Sequence, residues 1–326
     1  MYDVITVGSA TVDVFAKTNF SELIKILKPT GETDLLAYPV GAKILVDVFE
    51  FTIGGGGTNS AVALARLGHK VAWLGKLGND ENADKVINTL KKEKVDILAT
   101  KSQGYTGFSV ILDSIEHDRT ILAYKGANDN LSFAEINLRK LNTKWFYFSS
   151  MMGKSFITLK GLAKFAENHN IKILFNPSEY LAKRGINYLE SILKRSSLII
   201  LNKEEAFLLT NSNKINSALK LLSKYSKIVV ITDGKNPVHC FDGYYLYKAR
   251  PSRIKVVETT GAGDAFAASF LSGLLKKNSI EFAIKLAITN AESVISYHGA
   301  KNRLLRYREA LAIMKKRPIK VIKKKL

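Results

Sequence analysis

Glu258-Thr259-Thr260-Gly261-Ala262-Gly263-Asp264-Ala265-Phe266 is a run of small residues that leads into an apolar stripe, Phe266–Leu275, with the three- and four-residue spacing of a helix. Glycines at a helix start remove side-chain bulk, so backbone N–H groups can converge on an anion while the helix dipole adds partial positive charge. Such a pocket suits phosphate oxygens. Asp264 has the wrong charge to bind phosphate, but it is placed to take a proton from an attacking hydroxyl. Asp264 is therefore the candidate base, beside a turn suited to phosphate. The plain alternative is a helix cap on a permissive turn.

A second cluster, Gly54-Gly55-Gly56-Gly57-Thr58-Asn59, precedes another helical stretch, Ser60–Leu67. It is not a dinucleotide fingerprint: the sixth position is Asn59, the motif is not on the first strand, and no acid follows at the required distance. The Lys-Ser/Thr ending of a P-loop is missing as well. Glycines beside an amide suit a polyol, because Asn both donates to and accepts from hydroxyls while the backbone closes in.

Outward from these clusters, short apolar runs recur at Val4–Val7, Val71–Leu74, Trp145–Phe148, Ile173–Phe175, Leu198–Leu201 and Val229–Ile231, each followed by helical periodicity. This alternation predicts an α/β fold, three-layer α/β/α, with a central, mainly parallel sheet. Ile44–Thr52 and Thr106–Lys125 break the rhythm with strand-like alternation and suggest a small β lid, the second around a Ser114-Ile115-Glu116-His117-Asp118 turn. Phe241-Asp242-Gly243-Tyr244 marks a hairpin, where Asp-Gly would supply the positive φ angles of a tight primed turn. Without a solenoid repeat or a Pro- or Ser-rich linker, residues 1–326 read as a single domain, with lid excursions near 14–18, 36–52 and 105–125.

The net charge of +20 raises nucleic-acid binding as a rival function. Its distribution argues against it, since lysines are scattered over many helix surfaces and only the tail, residues 316–326, is densely basic; that tail reads as solvated. No apolar run approaches the roughly 20 residues of a bilayer span. Met1-Tyr2-Asp3-Val4-Ile5 enters a strand pattern without the features of a signal peptide, and the single Cys240 forms no internal disulfide, so a cytoplasmic location is expected. His69, His117, His169, His239 and His298 are dispersed and lack metal-ligand spacing. The aromatic run Trp145-Phe146-Tyr147-Phe148 reads as core.

The two glycine motifs, in this order and roughly 200 residues apart, resemble the two signatures of the ribokinase-like (PfkB) carbohydrate kinase family. Asp13 after the first strand, Thr106-Gly107, Gly126-Ala127-Asn128, the N-x-x-E motif Asn202-Lys203-Glu204-Glu205 and Thr232-Asp233-Gly234 support the resemblance over nearly the whole chain. It implies a β lid over the acceptor and in-line transfer from ATP to a hydroxyl. By that resemblance Asp264 is the base, Gly261, Ala262 and Gly263 form the anion hole, and Asp13, Gly55, Gly56, Asn59 and Asn128 face the acceptor. It also implies that Asn202, Glu205, Thr232, Gly234 and Asn290 serve the nucleotide, with Glu205 organising Mg²⁺ through water. A homodimer through the lid is a further expectation.

Departures narrow the inference. Glu258 stands where the family usually has an Asp tied to a monovalent-cation site in ribokinase, which argues against potassium activation. Ribokinase carries Lys where this chain has Gly56, and an acceptor-binding Glu where this chain reads Ser149-Ser150-Met151-Met152, so ribose specificity has no support. Asn236-Pro237 replaces a glycine often found after the Thr232 turn. A sugar kinase is the first reading. Nucleoside and phosphosugar kinases are rivals of the same fold, and a silent sugar sensor or a nucleic-acid-associated protein are rivals of another class.

Overall fold

Along each central strand, alternate residues enter opposite cores, and this positions everything else in the molecule. In a computed structural model, which describes residues 1–18, 22–28, 31–113, 119–297 and 299–325, the strand Tyr2–Val7 lies between Thr143–Ser149 and Val71–Leu74, parallel to both. Val4, Trp145, Tyr147, Leu174, Ile200 and Val230 face the helices Gly56–Arg66, Ala262–Lys277 and Ile280–Ile295. Ile5, Val7, Phe146, Phe148, Phe175, Leu201 and Ile231 face Gly153–Asn168, Gly185–Leu193, Lys203–Thr210 and Ile215–Leu222. A sheet buried on both faces needs apolar side chains at successive positions, which is why its strands read as unbroken runs in the sequence. The three-layer α/β/α reading holds, and the aromatic run 145–148 is core, with Phe146, Tyr147 and Phe148 fully buried.

The parallel order continues through Lys172–Asn176, Leu198–Asn202 and Ile228–Thr232. Three antiparallel strands, Val238–Phe241, Tyr245–Ala249 and Val321–Lys325, close that side of a ten-stranded sheet. The last of these corrects one expectation. Within the segment 316–326 read as a solvated basic tail, residues 321–325 pair as the edge strand; they stay mostly exposed, with Val321 half-buried and the Lys323 ammonium 3.9 Å over the Tyr245 ring. The hairpin at 241–244 is present, but only Gly243 has a positive φ, 91°. Instead of a primed Asp-Gly turn, the Asp242 carboxylate accepts the N–H groups of Tyr244 at 2.9 Å and Tyr245 at 2.7 Å.

The lid is a separate sheet. Thr11–Lys17 pairs antiparallel with Val48–Gly54 and parallel with Gly107–Asp113, which continues to Arg119–Tyr124. The 114–118 turn, His117 and His298 lie outside the described residues. Residues 36–47 are strand only as far as Ala37, and a hairpin pairing Glu22–Lys28 with Gly31–Ala37 adds an element that the sequence reading left out. Because Thr11–Lys17 follows Val7 after only Gly8-Ser9-Ala10, the lid sits over the carboxyl ends of the parallel strands, where open α/β sheets bind ligands.

Candidate active site

A cleft of about 340 Å³ opens at those strand ends. Its lining includes Gly56, Asn128, Asn202, Glu205, Thr232, Gly261, Gly263 and Asp264, contributions from chain segments far apart in sequence. Gly261 caps the helix Ala262–Lys277 in the left-handed region, φ 78°, and a Cβ there would sit 2.5 Å from the Ala300 Cβ. Glycine is thus required at 261 twice over. The Ala262 N–H turns back to the Thr259 carbonyl at 3.3 Å, so the first-turn amides of Gly263 and Asp264 are the ones offered to an anion. A Cβ on Gly263 would meet nothing within 4 Å, so packing does not require a glycine there.

Asp264 sits in the first turn of that helix, half-buried. Its Oδ2 accepts from the Asn59 Nδ2 at 2.8 Å. Its Oδ1 lies beside Gly56, 3.3 Å from where a Cβ would be, so this oxygen faces the space above the glycine cluster. Burial pushes the Asp264 carboxyl above the usual range, and the Asn59 hydrogen bond and the charge of Lys301 pull it back. One of its oxygens is thus fixed by Asn59 and the other is left free.

Asn59 therefore has a different task from the one expected. Its Nδ2 serves Asp264 and its Oδ1 accepts from the Lys301 ammonium, which leaves the amide little for an acceptor. Asn128 lines the cleft, yet its amide is spent on both backbone groups of Ala10, at 2.9 Å each, and so pins the turn between main sheet and lid. Gly55 takes φ 92° with its Cβ position 2.5 Å from the Ser9 carbonyl oxygen, which makes it a packing glycine. Asp13, 8% exposed, lies in the lid sheet with Oδ1 lacking any partner, and burial raises its pKa against the help of Thr11 and Lys301. Ser149, quoted above only as a departure, carries a buried Oγ without a partner on the cleft wall, 2.9 Å from a Cβ built on Gly56.

Also on the cleft wall, the N-x-x-E motif is a capping box. Asn202 Oδ1 accepts the Glu205 N–H at 2.7 Å, and Glu205 Oε2 accepts the Asn202 N–H at 2.9 Å. Burial pushes the Glu205 carboxyl up to about 7, helped by repulsion from Asp264, Glu204 and Glu179. Thr232 lines the cleft and Gly234, φ 52°, stands exposed in the turn beyond it. Asn290 corrects an expectation: fully buried, it donates to Ser269 Oγ at 2.7 Å and accepts the Leu305 N–H at 2.9 Å, so it joins helices rather than bordering a ligand or the surface. Glu258 is buried and accepts the Gly299 N–H at 2.7 Å, tying the strand-side loop to the turn that carries Lys301.

Lys301 is the residue that the sequence reading missed. It is 8% exposed and donates to the Ile53 carbonyl at 2.5 Å, to Thr58 Oγ1 at 3.1 Å and to Asn59 Oδ1. One lysine among 49 lysines and arginines, 242 residues from its partner, carries no local signal.

A profile described as "pfkB family carbohydrate kinase" matches residues 24–305. The chain belongs to that family. This PfkB member is 29% identical to the ribokinase of Bacillus subtilis over 264 residues, which span 80% of this chain and 87% of that one. Its fold is that of an adenosine kinase from Sinorhizobium meliloti, TM-score 0.80 at 21% identity over 97% and 99% of the two chains. It is also that of a putative ribokinase II from E. coli solved with ATP and Mg²⁺, TM-score 0.81 at 17% identity over 97% and 100%. No helix among the described residues is long and apolar enough to cross a membrane.

Proposed function

We propose that this PfkB carbohydrate kinase transfers the γ-phosphoryl group of ATP to a hydroxyl of a sugar or sugar-like acceptor, with Asp264 as the base. The observation that carries the reading is the free Oδ1 of Asp264, beside Gly56 and at the mouth of a helix whose Gly263 and Asp264 amides are open. In the reaction the acceptor oxygen attacks the γ-phosphorus and the bond to the β–γ bridging oxygen breaks. ADP leaves and the hydroxyl proton passes to Asp264 Oδ1. Gly261 and the amides of Gly263 and Asp264 meet the negative charge on the transferring group. Ser149 and Asp13, each with an unpartnered buried oxygen, are the groups assigned to the acceptor's hydroxyls.

Among the described residues no cluster of three His, Cys, Asp or Glu side chains could hold a metal. One carboxylate at the nucleotide end, Glu205, suits Mg²⁺, an ion that keeps water and leans on phosphate oxygens. When bound, Mg²⁺ would neutralise phosphate charge; Glu205 would hold it through water, Asn202 and Thr232 would border the nucleotide, and Gly234 would mark the outer edge. A phosphosugar acceptor is the second reading, because Lys125 lines the same cleft with its ammonium 4.9 Å from the Tyr180 ring centre.

A panel of sugars, sugar acids, phosphosugars and nucleosides tests this, with Mg²⁺ and ATP, with and without potassium. ADP formation that depends on a sugar-class acceptor and is equal in sodium and potassium is expected. Turnover confined to nucleosides, or none with any acceptor from folded protein, would overturn the acceptor assignment.

A further inference from the structure

The buried ammonium of Lys301 has three N–H groups and three acceptors, the Ile53 carbonyl, Thr58 Oγ1 and Asn59 Oδ1. It is therefore fully committed, and it does not reach Asp264 by a hydrogen bond of its own. Its partner Asn59 does, at 2.8 Å. An amide that accepts from an ammonium at one end and donates to a carboxylate at the other cannot flip, because the flipped form would set oxygen against carboxylate and N–H against ammonium. Without Lys301 the Asn59 amide would be oriented by Asp264 alone, and a neutral amine, with two N–H groups for three acceptors, would hold it less firmly, so the choice of which Asp264 oxygen stays free would be weakened.

We propose that Lys301 is a positioning residue for phosphoryl transfer: it locks the Asn59 amide so that Asp264 keeps Oδ2 occupied and Oδ1 aimed at the acceptor hydroxyl. The proposal rests on the kinase reading above. The segment that carries Lys301 is itself held in place. Arg66 donates to the carbonyls of Lys301 at 2.9 Å and Leu304 at 3.1 Å, and is paired with Glu93 at 2.6 Å. The charges that face the ammonium come from four elements: Asp13 on the lid strand, Asp264 on the anion-hole helix, Arg66 on the glycine-motif helix, and Glu93 at the end of helix Glu81–Lys92. Glu258, in the loop before the anion-hole helix, faces Asp13 in turn. Burial draws the Lys301 amine down to about 7, while Asp13 and Asp264 favour its charged form. The lock is then strongest below that pH and weakened above it.

The test is Lys301→Met and Lys301→Gln, read as kcat, acceptor KM, melting temperature and the pH dependence of kcat. Loss of the lock displaces the base, and such misplacement costs about 100-fold in kcat. The expected result for Lys301→Met is that fall, with acceptor KM within about threefold and the alkaline limb of the wild-type profile gone. Lys301→Gln, which still donates to Asn59, recovers part of kcat and likewise lacks the limb. Wild-type kcat with the limb intact in Lys301→Met would overturn the proposal. If Lys301→Met does not fold, or no acceptor is turned over, lysine labelled with ¹³C at Cε decides independently of activity. A wild-type signal that is absent from Lys301→Arg should titrate near 7 and move lower in Asp264→Asn, which removes a carboxylate that favours the ammonium. A signal that is unmoved by Asp264→Asn overturns it.

Discussion

Glu205→Gln should stabilise the metal-free protein at alkaline pH and cost it activity. The Glu205 carboxyl rises from 4.5 to about 7 on folding, mainly through burial. Its folded-state pKa is raised, so between those values the folded chain binds more protons than the unfolded one, and stability falls as pH rises through the window. At about 1.4 kcal/mol for each pH unit, the full displacement corresponds to about 3 kcal/mol. Glu205 is half-buried at a cleft wall, and solvent there lowers this to about 1–2 kcal/mol. Glutamine keeps the capping box, since it can still accept the Asn202 N–H, so the substitution isolates the charge. Urea unfolding in EDTA at pH 5 and pH 8 measures it. The variant should exceed wild type by about 1–2 kcal/mol at pH 8 and match it within about 0.5 kcal/mol at pH 5. An equal difference at both pH values, or a variant less stable at pH 8, would refute the reasoning. The same variant should need more Mg²⁺ for half-maximal turnover.

Gly261→Ala and Gly263→Ala should separate folding from binding. The first meets Ala300 and a left-handed backbone, so it should lose about 1–2 kcal/mol or more in thermal melts along with activity. The second adds a methyl to open space in a first helical turn, so its stability should hold or rise while kcat falls. The lid exposes Phe49 and Phe51 and the strand Arg119–Tyr124, with Ile121, Leu122 and Tyr124, so light scattering should show a dimer at micromolar concentration. Phe49→Glu with Phe51→Glu should make it monomeric.

How much of this was legible in the sequence depends on whether the cause was local. Val4–Val7 and Val229–Ile231 announce buried strands, because a sheet covered on both faces leaves few polar positions, here only Thr6, whose hydroxyl donates to the Gly57 carbonyl. The turn at 261–264 is equally local: backbone conformation demands Gly261, and Asp264 follows in the first turn. The hairpin Glu22–Ala37 was hidden, since its alternation carries charge through Glu22, Lys25 and Glu32 and leaves Ile24 and Leu27 exposed. Lysines likewise masked the edge strand 321–325, whose cation–π contacts with Tyr245 arise only after pairing. Within the site, residue type was readable but partner was not. Asn59, Asn128 and Asn290 all suggested ligand amides, and the fold commits them to Asp264 with Lys301, to Ala10, and to Ser269 with Leu305. Contacts 118 or 242 residues apart in the chain leave no trace in spacing.

The most direct test of the central claim is kcat for Asp264→Asn with the acceptor that gives turnover. Asparagine can still accept from the Asn59 amide through its own oxygen, so the turn should stay folded with an unchanged melting curve and ATP affinity. The account predicts that phosphorylated acceptor forms about 100- to 10,000-fold more slowly. A folded variant with kcat within about threefold of wild type would contradict it, and the proton would have to leave by another group.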